Sequence, residues 1–218
     1  MLIDSHCHLD RIDLSPYNHN FADFMGAAAR ENIVHMLSIA IDLENYAGML
    51  ALIENYPQIS ATVGVHPNEN EGREPTLDEL VRLGKNTKVI GIGETGLDYF
   101  RSEGDLGWQQ NRFRTHIQAA KILNKPLIIH TREAREDTLV ILREEGADQV
   151  GGVIHCFTED WDFAQQAMSL NFYISFSGIV TFNNAKKIRE VAEKIPTDRF
   201  LIETDSPYLA PAPYRGKP

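Results

Sequence analysis

Two histidines one residue apart lie near the start of the chain, in the stretch DSHCHLD at residues 4–10. Alternate side chains of a β-strand share a face, so His6 and His8 are predicted to point in one direction and Cys7 in the other. Two neutral imidazoles directed into one space typically bind a metal ion. A pair of surface histidines is the alternative, and the pair alone leaves both interpretations open.

Further ionisable residues stand at or near the ends of apolar runs: Glu94, His130, His155 and Asp205. Burying a charged group without a partner is costly, so several such strand ends argue for one shared site. Four imidazoles and two carboxylates are too many for one tetrahedral ion and suit two ions about 3.5–4 Å apart. Histidines satisfied singly by backbone carbonyls would explain one or two of these residues but explain six poorly.

Within this set, Glu94 is the best candidate for a bridge, because a carboxylate has two oxygens. We predict that His6, His8 and Asp205 complete the coordination of one ion. His130 and His155 would then complete the coordination of the other. Imidazole suits Zn²⁺ and Mn²⁺, while carboxylates and water also admit Mg²⁺, so the identity of the metal stays open.

The elements that must position these residues are short β-branched runs that alternate with helical patterns. We predict eight strands, at 2–9, 32–40, 59–67, 88–96, 126–131, 151–157, 172–180 and 200–207. Helical periodicity or a capping signal is evident at 43–56, 77–83, 108–123 and 185–195. Strands alternating with helices indicate a parallel sheet, and eight units favour a TIM-type (β/α)8 barrel of the α/β class over an open doubly wound sheet.

In such a barrel, functional residues gather at the carboxyl ends of the strands, where the six candidates fall. The chain is lean for this fold, and a helix expected after the eighth strand is missing. We therefore expect the outer face of that strand to be uncovered, with a partner chain as one hypothesis for what covers it.

Composition and charge limit the remaining possibilities. The chain has 218 residues, 43% hydrophobic and 24% charged, which fits one globular domain over 1–218. No apolar run approaches the ~18 residues of a membrane span, and no secretory signal is evident, so a cytoplasmic protein without membrane attachment is predicted. Cys7 and Cys156 are predicted to be buried reduced thiols. The net charge of −10, without a dense basic run, does not indicate stable binding of duplex DNA.

Six motifs in order resemble the TatD family of metal-dependent deoxyribonucleases, within the amidohydrolase-type barrels. They are DSHCHLD, GVHP, GIGETGLDY, PLIIHTREA, GVIHCF and LIETDSPYLAP. The resemblance implies a divalent-metal hydrolase that cleaves phosphodiester bonds of DNA, with 3′ to 5′ exonuclease polarity on single strands. The implied metal ligands are the six residues reached above, His6, His8, Glu94, His130, His155 and Asp205.

Four residues are weaker candidates for contacts to substrate or to the ligands. Glu203 shares the inward face with Asp205; it orients a ligand, holds a water or binds a further ion, or it is simply a solvated or salt-bridged carboxylate lower in the barrel. His66 ends the third strand and is favoured for a role in the site. Arg132 either binds a phosphate or pairs with a nearby loop glutamate, Glu133 or Glu136. Asp98, with Tyr99, is placed on a loop at the substrate entrance.

Other functions use the same residues. A metal-activated water also hydrolyses esters and amides, for example the aminoacyl ester of a tRNA. A third possibility is a catalytically silent metal-binding barrel. The first hypothesis remains cleavage of DNA at a two-metal site, with Glu94 and Asp205 as the catalytic carboxylates.

Overall fold

Short apolar segments rich in β-branched residues form eight strands in the computed structural model, which describes residues 1–216. The strands are β1 (Leu2–Cys7), β2 (Ile33–Ser38), β3 (Ile59–Val63), β4 (Val89–Asp98), β5 (Leu127–Arg132), β6 (Gly152–Ile154), β7 (Phe172–Phe176) and β8 (Phe200–Ile202). All eight predicted strands are confirmed. Most predicted runs extend too far at their carboxyl ends, because their last residues belong to the loops that follow.

The strands form one parallel sheet in the order β1 to β8. Its two edges meet where Cys7 forms a parallel bridge with Ser206. The backbone amide of Asp205 also donates to the carbonyl of His6 at 2.9 Å. These contacts produce a nearly closed barrel, so the predicted (β/α)8 architecture is confirmed.

Seven α-helices are found among residues 1–216. They are α1 (Phe21–Arg30), α2 (Tyr46–Ile53), α3 (Leu77–Gly84), α4 (Gly107–Leu123), α5 (Arg135–Glu144), α6 (Trp161–Ser169) and α7 (Lys186–Lys194). The cap predicted for α3 forms, because the Thr76 hydroxyl accepts from the Glu79 amide at 3.2 Å. Within the described residues, no helix is both long enough and apolar enough to span a membrane.

The main core lies between the outer face of the sheet and the helices. Phe113 and Ile117 of α4 and Phe163 of α6 are fully buried there. Each such side chain contributes about 1.5–3 kcal/mol of transfer free energy, so the core holds the strand ends in fixed positions. Residues 203–216 form no helix, and the β8 side chains Phe200 and Ile202 are 39% and 46% exposed, as expected for an uncovered strand.

A fully buried histidine joins α4 to the end of β3. His116 Nδ1 donates to the Arg112 carbonyl at 2.8 Å, and its Nε2 accepts from the Val65 amide at 3.0 Å. Burial lowers the pKa of His116 from 6.5 to about 4, so the ring stays neutral in the folded protein. The contact holds Val65 in place, and the next residue is His66.

This histidine makes the stability depend on pH. Its pKa is lower in the folded state, so its contribution is fully present above pH 6.5 and is lost as the pH falls to about 4. That loss is about 3 kcal/mol of unfolding free energy. We expect the stability difference between the wild type and His116→Gln, from urea unfolding, to shrink by that amount over this range. A difference that stays constant with pH would contradict the assignment.

Candidate metal centre

The structure brings the six predicted residues together at the carboxyl ends of the strands. His6 lies in β1, Glu94 in β4 and His130 in β5. His8 and His155 directly follow β1 and β6, and Asp205 lies three residues after the end of β8. Five are buried to less than a tenth exposed, and His130 is partly buried. Side chains that the sequence separates by up to 199 positions therefore share one space.

Glu94 is the centre of this cluster, and its two oxygens face different histidines. Its Oε2 lies 3.3 Å from Nε2 of His6 and 3.9 Å from Nε2 of His8. Its Oε1 lies 2.9 Å from Nε2 of His155 and 3.2 Å from Nδ1 of His130. The carboxylate thus divides the histidines into the same two pairs that the sequence suggested.

An irregularity in β4 lies at Glu94. Ile92 pairs with Leu127 and Thr95 with Ile129, so β4 has one residue more than β5 over this interval. Such bulges redirect a side chain and are common beside active sites. Two residues further on, Gly96 has a φ of +135°, and a Cβ there would lie 2.0 Å from the His130 carbonyl oxygen. Only glycine lets the two strands approach this closely.

Asp205 faces the first pair of histidines. Its Oδ1 lies 3.3 Å from Nε2 of His8 and 3.6 Å from Nε2 of His6. Its φ of 57° is in the left-handed region, a backbone conformation that non-glycine residues adopt at a cost and that is frequent at functional sites. Burial raises the pKa of Asp205, but the hydrogen bond with His8 and the nearby charges of His155 and His6 lower it overall.

Three of the histidines have an acceptor on the ring nitrogen that points away from Glu94. His8 Nδ1 lies 3.3 Å from the Ile39 carbonyl oxygen. His130 Nε2 lies 3.1 Å from Oδ2 of Asp98, and His155 Nδ1 lies 3.3 Å from Oε1 of Glu203. When the outer nitrogen donates, the inner nitrogen of a neutral ring carries a lone pair, as in histidines that bind metals.

These contacts define the positions of two weaker candidates. Asp98 is the last residue of β4 and is 1% exposed, so its placement on an entrance loop was wrong: β4 continues four residues beyond Glu94. Glu203 is 7% exposed, so a solvated carboxylate is excluded. Its Oε1 also accepts from the Cys156 amide at 2.6 Å, which ties the loop after β6 to the end of β8.

His66 differs from the other histidines in its hydrogen bonds. Its Nδ1 accepts from the Asn68 amide at 3.0 Å, which places the proton of the neutral ring on Nε2. That Nε2 lies 3.4 Å from Oε1 of Glu94. His66 therefore faces the cluster as a hydrogen-bond donor rather than with a lone pair.

Arg132 does not pair with either of the nearby glutamates. Its guanidinium lies 3.8 Å from the centre of the Phe100 ring, while Glu136 pairs with Arg135. Tyr99 is also directed away from the cluster, because its hydroxyl donates to Asp137 at 2.7 Å. Cys7 and Cys156 are free thiols as predicted, although Cys156 is only partly buried.

Sequence reasoning missed two neighbours of the cluster. Asn68 donates from Nδ2 to Oδ2 of Asp98 at 2.7 Å, and so helps orient the carboxylate that contacts His130. The ring centre of Tyr208 lies 5.8 Å from that of His8. Asn68 lies two residues after His66 and Tyr208 three residues after Asp205, and that proximity in the sequence was the only available signal.

The donor set fits divalent cations. Three groups of side chains could each hold an ion, because within each group the ligand atoms lie within 4.8 Å of one another. The groups are His6, His8 and Asp205; His66, Glu94 and His130; and His6, His155 and Glu203. Both ring nitrogens of His6 are buried without a hydrogen-bond partner. Among residues 1–216, the ion pairs of Glu94, Glu203 and Asp205 are all with histidines, so no lysine or arginine neutralises these buried carboxylates.

The electrostatics also indicate a need for positive charge. Burial raises the pKa of Glu94, but the charges of His155, His66 and His6 and the hydrogen bond from His130 hold it well below its usual range. Burial opposes protonation of His155, yet the charges of Glu94 and Glu203 raise its pKa well above its usual range. Without cations the site needs protonated histidines, and bound cations would meet the same need.

Comparison with known proteins gives a consistent family. A family model described as TatD related DNase matches residues 3–218. An uncharacterized metal-dependent hydrolase of Escherichia coli K12, YcfH, is 47% identical over 217 residues, which cover 99% of this chain and 81% of that protein. The uncharacterized metal-dependent hydrolase YabD of Bacillus subtilis is 42% identical over 218 residues, covering 100% of this chain and 84% of that protein.

A solved structure shows the same architecture. The crystal structure of YjjV, a TatD homologue from Escherichia coli K12, superposes with a TM-score of 0.89 at 30% identity. The match covers 100% of this chain and 83% of that chain. The barrel and the order of its strands are therefore shared with a solved relative.

Proposed function

Because the chain belongs to the family of TatD-related DNases, we propose that it hydrolyses phosphodiester bonds of DNA at the cluster around Glu94. Its relatives YcfH and YabD are named metal-dependent hydrolases, and the chain is a metal-dependent hydrolase. The observation that carries the proposal is the division of the Glu94 oxygens between two sets of ring nitrogens. The proposed substrate is single-stranded DNA or a strand end, with 3′ to 5′ polarity and a cytoplasmic location.

The residues present would hold two divalent ions. His6, His8 and Asp205 would hold one, His130 and His155 the other, with Glu94 shared between them. Bound there, such ions supply Lewis acidity toward a phosphoryl oxygen and lower the pKa of a water. Zn²⁺, Mn²⁺ and Mg²⁺ are all compatible with this mixture of imidazoles and carboxylates.

Several side chains have roles of their own in the proposed reaction. The Asp205 carboxylate is ionised and faces the cluster, so its Oδ1 can accept a proton from the attacking water. His66 can donate from Nε2 to an oxygen of the substrate, since its other nitrogen is occupied by the Asn68 amide. Asp98 and Glu203 hold His130 and His155 in orientation.

The direct test is hydrolysis of single-stranded oligonucleotides labelled at the 3′ or the 5′ end. With added Mg²⁺ or Mn²⁺ we expect metal-dependent shortening, and the two labels report the direction. His6→Ala should abolish it, because His6 lies between Glu94 and Asp205. If folded, metal-loaded protein cleaves neither substrate, the DNase proposal is wrong, and ester or amide substrates become the next class to assay.

A further inference from the structure

A cavity of about 470 Å³ opens at the loop that follows β4. It is lined by Asn70, Phe100, Arg101, Ser102, Glu103 and Trp108. None of these residues belongs to the candidate metal centre. The lining combines two aromatic rings, one guanidinium, one carboxylate and small polar groups, a combination suited to a flat ring with polar edges.

Asp98 links this cavity to the cluster. Its Oδ2 contacts His130 Nε2 at 3.1 Å, while its Oδ1 accepts from the amides of Phe100 and Arg101 at 3.1 and 3.0 Å. One buried carboxylate thus holds both a histidine of the cluster and the backbone of the cavity wall. The cavity wall and the cluster are therefore separated by this one side chain.

The cavity wall is held in place by a second buried side chain. Gln109 of α4 is fully buried, and its Oε1 accepts from the Asp98 amide at 2.9 Å. Its Nε2 donates to the Asp98 carbonyl at 3.2 Å and to the Ser102 hydroxyl at 2.7 Å. The loop is therefore fixed in advance, which lowers the entropic cost of binding a ligand there.

Each aromatic ring of the cavity has a guanidinium over one face. Arg132 lies 3.8 Å from the centre of the Phe100 ring, and Arg112 lies 4.8 Å from that of Trp108. Phe100 nevertheless remains 55% exposed. A planar ligand can stack on the uncovered surface, and base–aromatic stacking of this kind is the usual way to bind single-stranded nucleic acid.

The arginines here are also available to an anion. Among residues 1–216, neither Arg101 nor Arg132 forms an ion pair, whereas Arg112 pairs with Glu74. Two arginines without carboxylate partners are notable in a chain with a net charge of −10. They provide local positive charge for a phosphate attached to a stacked base.

We propose that this cavity is a nucleobase-binding subsite, in which Phe100 and Trp108 stack on a base adjacent to the scissile phosphodiester. Arg101 and Arg132 then contact the backbone phosphates. The inference rests on the proposed DNase function and narrows its substrate class to strands with intact, unpaired bases. Stacking tolerates every base, so no sequence preference is expected from this subsite.

The test uses the fluorescence of Trp108. The chain has two tryptophans, so a Trp161→Phe background leaves Trp108 as the sole reporter. The probes are a single-stranded oligonucleotide and an abasic oligonucleotide of the same length and charge, both with phosphorothioate linkages that slow cleavage, titrated into the metal-loaded protein. We expect saturable quenching and at least about fivefold tighter binding of the strand with bases, since stacking contributes about 1–3 kcal/mol per base.

Variants then assign the effect to the cavity. In the same background, Phe100→Ala should remove the preference for the strand with bases, and Phe100→Tyr should restore it. Tyr173→Ala is the matched control, because Tyr173 lies on β7, outside the cavity lining, and its ring also has a guanidinium, that of Arg199, over it. A loss of the preference in Tyr173→Ala that equals the loss in Phe100→Ala would overturn the assignment.

The outcomes separate this inference from the DNase proposal. Equal affinity for the two oligonucleotides in a protein that cleaves DNA would overturn the subsite while leaving the nuclease intact. Base-dependent quenching in a protein that cleaves no oligonucleotide would support the subsite and reject the nuclease. Kinetically, Phe100→Ala should raise KM with little change in kcat, because stacking on a base whose bonds do not change in the reaction is the same in the ground and transition states.

Discussion

Glu94→Gln is expected to lower kcat/KM for oligonucleotide hydrolysis by at least about 100-fold and to lower the bound metal content. Loss of groups that merely orient metal ligands already costs about 10–100-fold, and Glu94 faces both sets of histidines directly. The amide keeps the volume of the carboxylate, but it removes the charge and replaces one oxygen with a donor that no cation can use. Metal content after dialysis and steady-state kinetics measure the two effects.

Glu190→Gln is the matched control for this substitution. Glu190 lies on α7 and pairs with the exposed Lys186. Glu190→Gln therefore makes the same chemical change at the surface. It should leave both metal content and kcat/KM unchanged. A Glu94→Gln protein that keeps its metal and retains activity within about tenfold would contradict a shared carboxylate at the centre of the site.

The barrel and the grouping of the six candidate residues could be predicted because both follow from local patterns. A short β-branched run is visible in the sequence, and so is an ionisable residue at its end. Parallel strands place those ends at one rim, which brings residues as distant as His6 and Asp205 within 3.6 Å. Their function as metal ligands remains a prediction that the Glu94 and His6 variants test.

Tertiary contacts determine what the sequence could not indicate. β4 continues to Asp98 because its backbone pairs with Arg132 of β5, and no local pattern announces that pairing. The orientation of His66 depends on a single amide hydrogen bond from Asn68. The cavity near Phe100 depends on Gln109, which is 11 positions from its partner Asp98.

Two further helices carry an N-cap signal in the sequence. α1 begins after Asn20, whose side chain accepts from the Ala22 amide, and α6 begins after Asp160, whose side chain accepts from the Phe163 amide. Both residue types are strong N-caps. The apolar periodicity that follows each cap is short and rich in alanine, so the cap alone does not predict a helix.

Glu203→Gln should have a smaller effect than Glu94→Gln, about 10–100-fold on kcat/KM and on metal affinity. The Gln oxygen can still accept from the Cys156 amide, so the loop after β6 should keep its position and the Tm should change little. The substitution removes the negative charge beside Nδ1 of His155. In the wild type this charge makes the inner nitrogen, Nε2, a better metal ligand.

The comparison between these two variants also decides what Glu203 does. Its Oε2 is buried without a hydrogen-bond partner, and one of its carboxylate oxygens lies within 4.8 Å of ring nitrogens of His6 and His155. If Glu203 orients His155, the Glu203→Gln protein should still bind metal at saturating metal concentrations, but with a higher dissociation constant for the metal. A loss of metal and activity as complete as in Glu94→Gln would show instead that Glu203 is itself a ligand, and would require a different division of the cluster.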